Sequence, residues 1–302
     1  MQGNRVVALG CFDGVHIGHR ALLNEARAEA DRLGCTAAAM TFDTHPDTLL
    51  TGVPTALLNT AADRDLLLKA CGMDEVLTLR FDRAMMATEW EVFAEEILLR
   101  RFRAAAVVCG YDFRFGARGE GTAEKLREFC ACRGIGCTVV PEVRMDGETV
   151  SSTRIRALLR EGGMAGAVRL LGHPHILSGT VVTGQKLGHT LGIPTANLPV
   201  PEGLTVPAFG VYAAKAVTGT GIFPAVVNLG VHPTVGALRA PVAEAWLQDF
   251  SGDLYGAPLR LEFFTRLREE RTFPSLDALC AEIRRNAEQA KAFFAEKDRE
   301  YR

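Results

Sequence analysis

The chain has 302 residues, of which 48% are hydrophobic and 23% are charged, and its net charge is −2. This composition is typical of a globular protein with one large domain or two ordinary ones. Because positive charge is neither in excess nor clustered, the sequence argues against a nucleic-acid-binding groove. No uncharged apolar run reaches the roughly 18 residues of a membrane span, and no secretory signal precedes the first predicted strand, so we expect a cytoplasmic protein.

The first half of the chain alternates short apolar runs with helical patterns, which predicts an α/β fold with a parallel sheet. The predicted strands are Arg5–Leu9, Thr36–Phe42, Glu75–Leu79, Ala104–Val108 and Gly136–Val140. The predicted helices lie around Ala61–Lys69, Glu89–Leu99 and Ala123–Ala131. Ligands of such sheets bind beyond the carboxyl ends of the strands.

A histidine pair follows the first predicted strand. An apolar stripe then predicts a helix that ends at Gly34, formed by Leu22, Leu23, Ala26, Ala30 and Leu33. His16 and His19 therefore lie beside a helix N-terminus, which favours an anion, and Gly18 allows a phosphate to approach. A hydrogen-bonded surface pair would give the same pattern. The segment Gly10–His19 resembles the signature of nucleotidyltransferases that make adenylated cofactors. Aminoacyl-tRNA synthetases with an HIGH motif have a similar signature, but the size and the charge of this chain argue against that class.

Other polar segments follow the second and fourth predicted strands, at Phe42–Pro46 and Gly110–Gly116. Their convergence at one sheet edge predicts a pocket, although each alone is explained by a turn. The glycine-rich segment 116–121 lacks dinucleotide-binding spacing, and we expect a mobile loop there. The segment Ser151–Arg156 opens another helix, where its hydroxyls either cap the helix or, with its arginines, bind a triphosphate.

After residue 172 the pattern changes to short strands punctuated by glycine and proline, so we expect domains at 1–172 and 173–302, the second a small β-barrel. Its predicted strands are Ile176–Thr183, Gly210–Val217, Ile222–Val227, Glu244–Leu247 and Leu259–Phe264. A final helix is predicted after Ser275. Its apolar stripe comprises Leu276, Leu279, Ile283, Ala287, Ala290 and Phe294.

A second phosphate-binding pattern lies at the start of the predicted barrel. The glycines of segment 184–188 permit close approach of a phosphate, and Lys186 adds charge. Thr195 and Asn197 offer oxygen ligands to a Mg²⁺ ion held by nucleotide oxygens. A turn started by Pro194 explains the last two residues equally well.

The cysteines offer another candidate site. Cys130, Cys132 and Cys137 cluster along the chain, but no C-x-x-C pair or nearby histidine pair accompanies them. Ordinary buried thiols are the simpler interpretation, and a zinc site is the alternative.

The ordered motifs of nearly the whole chain resemble those of the bacterial bifunctional riboflavin kinase/FAD synthetase family. The first-half motifs are Gly10–His19, Thr41–Pro46, Gly110–Gly116 and Ser151–Arg156. The second-half motifs are Gly184–Asn197, Phe209–Tyr212, Asn228–Thr234, Glu244–Phe250 and Asp253–Gly256. The resemblance implies a Rossmann-like nucleotidyltransferase domain followed by a riboflavin-kinase barrel with a C-terminal helix. The implied substrates and products are ATP, riboflavin, FMN and FAD, with Mg²⁺ as cofactor.

The resemblance also implies residue roles. In the adenylyltransferase, with His16 and His19 at its catalytic centre, ATP would be bound by Gly10, Phe12, Asp13, Gly14, His16, Gly18, His19, Ser152, Thr153 and Arg156. The flavin or nucleotide pocket would contain Asp112, Phe113 and Phe115. In the kinase, ATP would be bound by Gly184, Lys186, Gly188, Pro194, Thr195 and Asn197. Thr195 and Asn197 would also hold the metal, Glu244 would be the catalytic base, and Arg268 is a weaker family match.

Three residues depart from the family pattern. Cys11 replaces a usual asparagine, and His189 and His232 replace usual arginines, which removes a permanent charge at each histidine. Two other function classes therefore stay open. One is a nucleotidyltransferase with another phosphorylated alcohol as substrate, and the other is a flavin-binding regulator without turnover. Assembly into a homo-oligomer is also left open.

Overall fold

A computed structural model describes the chain over residues 4–184, 193–233 and 239–300. The chain divides into two compact units between Ser152 and Thr153, with Leu58–Thr60 grouped in the second unit. Each unit has a sheet of its own.

The first unit is built on a five-stranded parallel sheet with strand order β3-β2-β1-β4-β7. The strands of the first unit are β1 (Arg5–Leu9), β2 (Thr36–Phe42), β3 (Glu75–Leu79), β4 (Ala104–Gly110), β5 (Arg114–Phe115), β6 (Gly121–Thr122), β7 (Gly136–Val140), β8 (Arg144–Met145) and β9 (Glu148–Thr149). The four strands outside the parallel sheet form two short hairpins, β5-β6 and β8-β9. The predicted α/β fold is confirmed, and β4 is two residues longer than predicted.

The predicted helices of the first unit are present, and two short helices that were not predicted lie at Pro46–Thr51 and Arg83–Met86. The helices are α1 (Ile17–Leu33), α2 (Pro46–Thr51), α3 (Ala61–Ala70), α4 (Arg83–Met86), α5 (Trp90–Val92) with the π-helix Phe93–Arg101, and α6 (Ala123–Ala131). The helix predicted at Glu89–Leu99 is thus a short α-helix that continues as a π-helix. Leu33 is exposed, so the buried stripe of α1 ends at Ala30.

The glycine-rich segment 116–121, where we expected a mobile loop, forms the turn of a short hairpin, and its mobility stays a prediction. A 3₁₀ turn, Ala117–Gly119, connects β5 to β6. Gly116 has a φ of 73°, and a Cβ at this position would lie 2.6 Å from Cα of Trp90. Only glycine fits this approach, which ties the turn to the start of α5.

The second unit contains a six-stranded antiparallel sheet with order β10-β15-β12-β13-β14-β11, whose end strands β10 and β11 approach each other as in a nearly closed barrel. Two helices precede it, α7 (Ser152–Arg160), which starts at the boundary, and α8 (Met164–Leu171). The strands are β10 (His175–Thr180), β11 (Ala196–Pro199), β12 (Gly210–Thr218), β13 (Gly221–Pro233), β14 (Arg239–Leu247) and β15 (Pro258–Glu269). The predicted barrel is confirmed, but β13, β14 and β15 are longer than predicted and β11 was not predicted.

The long C-terminal helix α9 (Leu276–Glu300) covers one face of this sheet. Its buried side chains Ala287, Ala290 and Phe294 pack on Val211 and Val226. The Ser275 hydroxyl caps the helix by accepting the Ala278 N–H at 3.2 Å. The predicted core stripe is therefore correct for the second half of the helix, whereas Leu276 at its start is 55% exposed.

A buried histidine gives the second unit an acid sensitivity. His175 on β10 is 4% exposed, and its Nδ1 has no hydrogen-bond partner within the described residues. Burial, reinforced by His173, lowers the pKa of His175 to about 4. The unfolded chain, with a histidine pKa of about 6.5, binds this proton first, so stability is lost as the pH falls from about 6.5 to about 4.

We expect His175→Asn to remove this dependence. Between about pH 7.5 and pH 5, the free energy of unfolding of the second unit should fall by about 2 kcal/mol less in the variant than in the native chain. Urea titrations at the two pH values measure this difference. Equal losses in the two proteins would show that His175 does not titrate as the structure indicates.

Candidate active sites

The loop between β1 and α1 is held in an unusual backbone conformation. Phe12 and Val15 are completely buried and have φ values of 51° and 40°, in the left-handed region. The Phe12 ring folds back over Gly10, where an added Cβ would lie 3.1 Å from its Cζ. The Phe12 side chain therefore belongs to the core, and its predicted contact with ATP stays a prediction. Gly14, at φ 84°, completes the turn.

The two histidines of this loop stack at the N-terminus of α1. His16 is the N-cap residue, and its Nδ1 accepts the backbone N–H of His19 at 3.2 Å. The ring centroids lie 3.6 Å apart at an interplanar angle of 14°, and Phe12 meets His19 edge-on at 5.3 Å. An added Cβ at Gly18 would lie 3.1 Å from the His16 ring, which explains the glycine. The predicted proximity of this pair to a helix N-terminus is confirmed.

The surroundings of His19 favour its neutral form. Burial, and secondarily the neighbouring His16, lower the pKa of His19 well below its ordinary value. Its Nδ1 is buried and lacks a hydrogen-bond partner within the part of the chain that the structure describes. Without a ligand, His19 therefore carries no charge at neutral pH, and an approaching anion would favour its protonated form.

Ser152, the last residue of the first compact unit, binds the loop. Its hydroxyl donates to the backbone carbonyl of Asp13 at 2.8 Å, and Asp13 is itself buried. The Ser152 hydroxyl thus forms a hydrogen bond with the loop. This contact differs from the helix-capping role that the sequence also allowed. Arg156 lies one turn further along α7, on the same face as Ser152, while Thr153 is exposed. Both belong to the second compact unit, and their triphosphate contacts stay a prediction.

The segment after β2 starts a short helix. His45 is the N-cap of α2 and accepts the Asp47 N–H at 3.2 Å through Nδ1. Thr41, completely buried in β2, donates its hydroxyl to the Cys11 carbonyl at 2.9 Å. His45 is therefore a capping residue, and Thr41 supports the neighbouring loop.

Arg64 was not predicted from the sequence as a functional residue. It lies on α3, is 7% exposed, and donates to the carbonyls of Cys11 at 3.3 Å and Phe42 at 2.8 Å. The available signal was an arginine on the helix face that carries Leu67 and Leu68. That pattern shows burial but not the carbonyls that the arginine binds.

A cavity of about 260 Å³ lies beside the ends of β4 and β7. Its lining includes Tyr111, Asp112, Phe113, Arg114, Glu124 and Arg127. Two of the three predicted pocket residues, Asp112 and Phe113, thus line one cavity. Phe115 is buried and stacks on Phe113 at 5.3 Å, so it supports the cavity wall.

In the second unit, three polar residues lie side by side across adjacent strands. Glu244 on β14 pairs in register with Asn197 on β11 and with Asn228 on β13. Directly paired residues of antiparallel strands project to the same face. The predicted base and a predicted metal ligand are therefore neighbours. Asn228 belongs to a recognised motif, but sequence reasoning gave it no individual role.

The structure identifies the face of β14 that carries Glu244. The alternate residues Ala243, Ala245 and Leu247 are buried on the opposite face, whereas Trp246 packs with the cluster beneath α9. Gln248 donates to the carbonyl of Ala287 on α9 at 3.3 Å. Glu244 therefore lies on the face of the sheet that α9 partly covers.

Gly184 and Asn197, two residues of the predicted phosphate motif, are in close contact. An added Cβ at Gly184 would lie 2.7 Å from Cγ of Asn197, and Val182 donates its N–H to the Asn197 carbonyl at 2.9 Å. Pro194 is exposed and Thr195 half-buried, just before β11. Lys186, Gly188 and His189, and the side chain of His232, lie outside the described residues.

The predicted metal ligands, together with Glu244, are of types that suit Mg²⁺. Thr195, Asn197 and Glu244 offer hydroxyl, amide and carboxylate oxygens, the ligand types of a hard divalent cation. Within residues 4–184, 193–233 and 239–300, no group of three or more His, Cys, Asp or Glu side chains could hold a metal ion by itself. None of the eight cysteines, all of which are described, forms a disulfide, and Cys109 and Cys130 are buried.

Comparison with known proteins assigns both units. The FAD synthetase family model matches residues 1–154, and the riboflavin kinase model matches residues 171–294. The bifunctional riboflavin kinase/FMN adenylyltransferase of Escherichia coli K12 is 37% identical over 295 residues, which cover 97% of this chain and 94% of that protein. The chain belongs to the bifunctional riboflavin kinase/FMN adenylyltransferase family. It is a transferase with an FAD synthetase domain and a riboflavin kinase domain, as the motifs predicted.

Two further relatives are similar to this chain over nearly its whole length. The proteins of Bacillus subtilis and Haemophilus influenzae with the same name are 32% and 35% identical, and each alignment covers 97% of this chain. A solved structure described as a macrolide-efflux protein from Streptococcus pneumoniae is 30% identical, with a TM-score of 0.85 over 96% of this chain and 95% of that chain. Its described role differs from the flavin activities, while its fold matches along both units. In the described part of this chain, no helix is long and apolar enough to cross a membrane.

Proposed function

We propose that this chain makes FAD from riboflavin in two ATP-dependent steps at two separate sites. The riboflavin kinase unit forms FMN at Glu244, and the FAD synthetase unit adenylates FMN beside His16 and His19. The observation that carries this proposal is that each family model falls on a unit with its own site geometry. We assign the first activity to residues 173–302 and the second to residues 1–172.

The FAD synthetase site needs no strong base. The FMN phosphate, with a second pKa of about 6, is largely dianionic at neutral pH. One of its oxygens attacks the α-phosphorus of ATP, and the bond from this phosphorus to the β-phosphate oxygen breaks, which releases pyrophosphate. Catalysis then depends on positioning and charge stabilisation. We expect the N–H groups at the start of α1 and the imidazoles of His16 and His19 to supply both.

The flavin is assigned to the cavity beside β4 and β7. Its volume of about 260 Å³ and its aromatic and charged lining, with Phe113, Asp112 and two arginines, suit a planar ring with polar edges. The cavity belongs to the same unit as the histidine pair and lies by the end of β4, which is the neighbour of β1. This placement supports a flavin site next to the loop of residues 10–16 between β1 and α1, which we call the ATP loop.

The kinase site needs a base because riboflavin presents a neutral hydroxyl. The hydroxyl oxygen attacks the γ-phosphorus of ATP, its proton passes to the Glu244 carboxylate, and the γ-phosphorus bond to the bridging oxygen breaks with release of ADP. Thr195 and Asn197 would hold Mg²⁺, which neutralises charge on the ATP phosphates when bound. The pairing of Asn197 with Glu244 supports this shared site.

Replacing Asn197 by leucine tests the metal assignment. We expect the Mg²⁺ concentration for half-maximal FMN formation to rise by at least about tenfold, a loss that residues of metal sites commonly show. FAD formation from supplied FMN in the same preparation should keep its native rate. An unchanged Mg²⁺ dependence of the kinase would remove Asn197 from the metal site.

The remaining expectations follow from the proposed chemistry. We place the reaction in the cytoplasm, because both steps use ATP and eight cysteines without a disulfide suit a reducing compartment. The proposed function itself is tested by chromatography of a mixture of riboflavin, ATP, Mg²⁺ and the native chain. FMN followed by FAD is expected, and neither product would form on a regulator that only binds flavin.

A further inference from the structure

A buried arginine joins the ends of two neighbouring strands in the FAD synthetase unit. The Arg64 guanidinium donates to the Cys11 carbonyl, two residues beyond β1, and to the Phe42 carbonyl at the end of β2. Buried carbonyls need donors. Arg64 reaches these two from α3, which is 53 and 22 residues away from them along the chain.

The contact fixes the most unusual part of the ATP loop. The Cys11 carbonyl accepts from both Arg64 and Thr41, and two donors on one oxygen set the orientation of the peptide that leads to Phe12. Phe12 has the left-handed φ that side chains rarely adopt, and its ring packs against His19. A short chain of contacts thus runs from Arg64 to the histidine pair.

The surroundings keep the guanidinium in place. Burial lowers the pKa of Arg64 from its ordinary value, while the charges of Asp13 and Asp43 oppose that shift. An arginine remains protonated under these conditions. Its rigid fork reaches two acceptors at fixed positions, which a lysine ammonium does not reproduce.

We propose that Arg64 is a positioning residue for adenylyl transfer. It holds the Cys11 and Phe42 carbonyls together, and through Phe12 it keeps the His19 ring at the helix N-terminus where ATP binds. The assignment of the ligand rests on the proposed function, whereas the positioning of the loop does not.

Three variants test the role of Arg64. Arg64→Met removes the fork, Arg64→Lys keeps the charge, and Lys69→Met removes an exposed charge from the same helix as the matched control. We expect Arg64→Met to raise the KM for ATP in FAD formation by at least about tenfold, given the loss of two charge-assisted hydrogen bonds. Arg64→Lys should give a smaller increase. The KM for FMN, the rate of riboflavin phosphorylation and both activities of Lys69→Met should stay within about twofold of native.

The pattern of constants separates positioning from simple destabilisation. A smaller folded fraction lowers kcat and leaves both KM values unchanged, whereas a displaced loop raises the KM for ATP. An unchanged KM for ATP in Arg64→Met would overturn the proposal. If that variant does not fold, a native KM for ATP in Arg64→Lys would overturn it in the same way.

Hydrogen exchange gives a readout that does not depend on activity. The amides of Val15 and His19 donate to Phe12 and His16 inside the loop, so their exchange reports its geometry. Faster exchange over residues 10–19 in both Arg64 variants, with native exchange in Lys69→Met, supports the positioning role even if the native chain forms no FAD. Native exchange in both Arg64 variants would overturn the role, whatever the outcome for the proposed function.

Discussion

Glu244→Gln is expected to lower the rate of FMN formation from riboflavin by at least about a hundredfold, the usual contribution of a general base. Glutamine keeps the size and the hydrogen-bonding ability of the side chain but cannot accept the riboflavin proton at neutral pH. FAD formation from supplied FMN should be unchanged, because that site lies in the other compact unit. Initial rates of both reactions, separated by chromatography, measure the effect.

The matched control for this change is Glu202→Gln, an exposed glutamate in the same unit. It should leave both rates within about twofold of native, as expected for an exposed site without special contacts. Equal loss of the two activities in Glu244→Gln would contradict the assignment. FMN formation at the native rate would show that another group accepts the proton.

The opposite pattern is expected at the histidine pair. His19→Phe keeps an aromatic ring against His16 and Phe12 but removes both ring nitrogens, so FAD formation should fall by about a hundredfold or more. His16→Asn keeps a side chain that can cap α1 and should cause a loss of the same order. Riboflavin phosphorylation in each variant serves as the control for folding.

These two variants also separate charge stabilisation from helix capping. Circular dichroism and thermal unfolding should show α1 retained in His16→Asn, so that its loss of FAD formation reports the missing imidazole. FAD formation within about twofold of native in His19→Phe would exclude its nitrogens from the reaction. Loss of riboflavin phosphorylation in a variant whose thermal unfolding is native would contradict the independence of the two sites.

The parallel sheet could be predicted closely because each of its strands is a short apolar run bounded by turn residues. The strands β13, β14 and β15 were predicted too short because antiparallel pairing continues beyond the apolar run, as at Asn228 in β13, whereas β10 ends at Thr180 and not at the predicted Thr183. Strand β11 could not be predicted from its own four residues, which end in proline. Strand β11 forms because it pairs with β14, and this pairing brings Asn197 beside Glu244.

In the candidate sites, too, features that depend on neighbouring residues could be predicted, whereas features that depend on residues far away in the chain could not. The position of His16 beside a helix N-terminus follows from a strand, a turn and a helix in sequence, so it could be predicted, whereas its role as the N-cap residue was not predicted. The face occupied by Glu244 depends on where α9 packs, and the neutrality of His19 depends on burial. Arg64 was missed because its acceptors belong to loops far away in the chain.

Complementation between inactive sites tests the central claim most directly. A mixture of Glu244→Gln and His19→Phe is supplied with riboflavin, ATP and Mg²⁺, and the flavins are separated over time. If two independent sites act in sequence, neither variant alone forms FAD, but the mixture does so through FMN released by His19→Phe. A mixture that stops at FMN or leaves riboflavin unchanged would contradict the account.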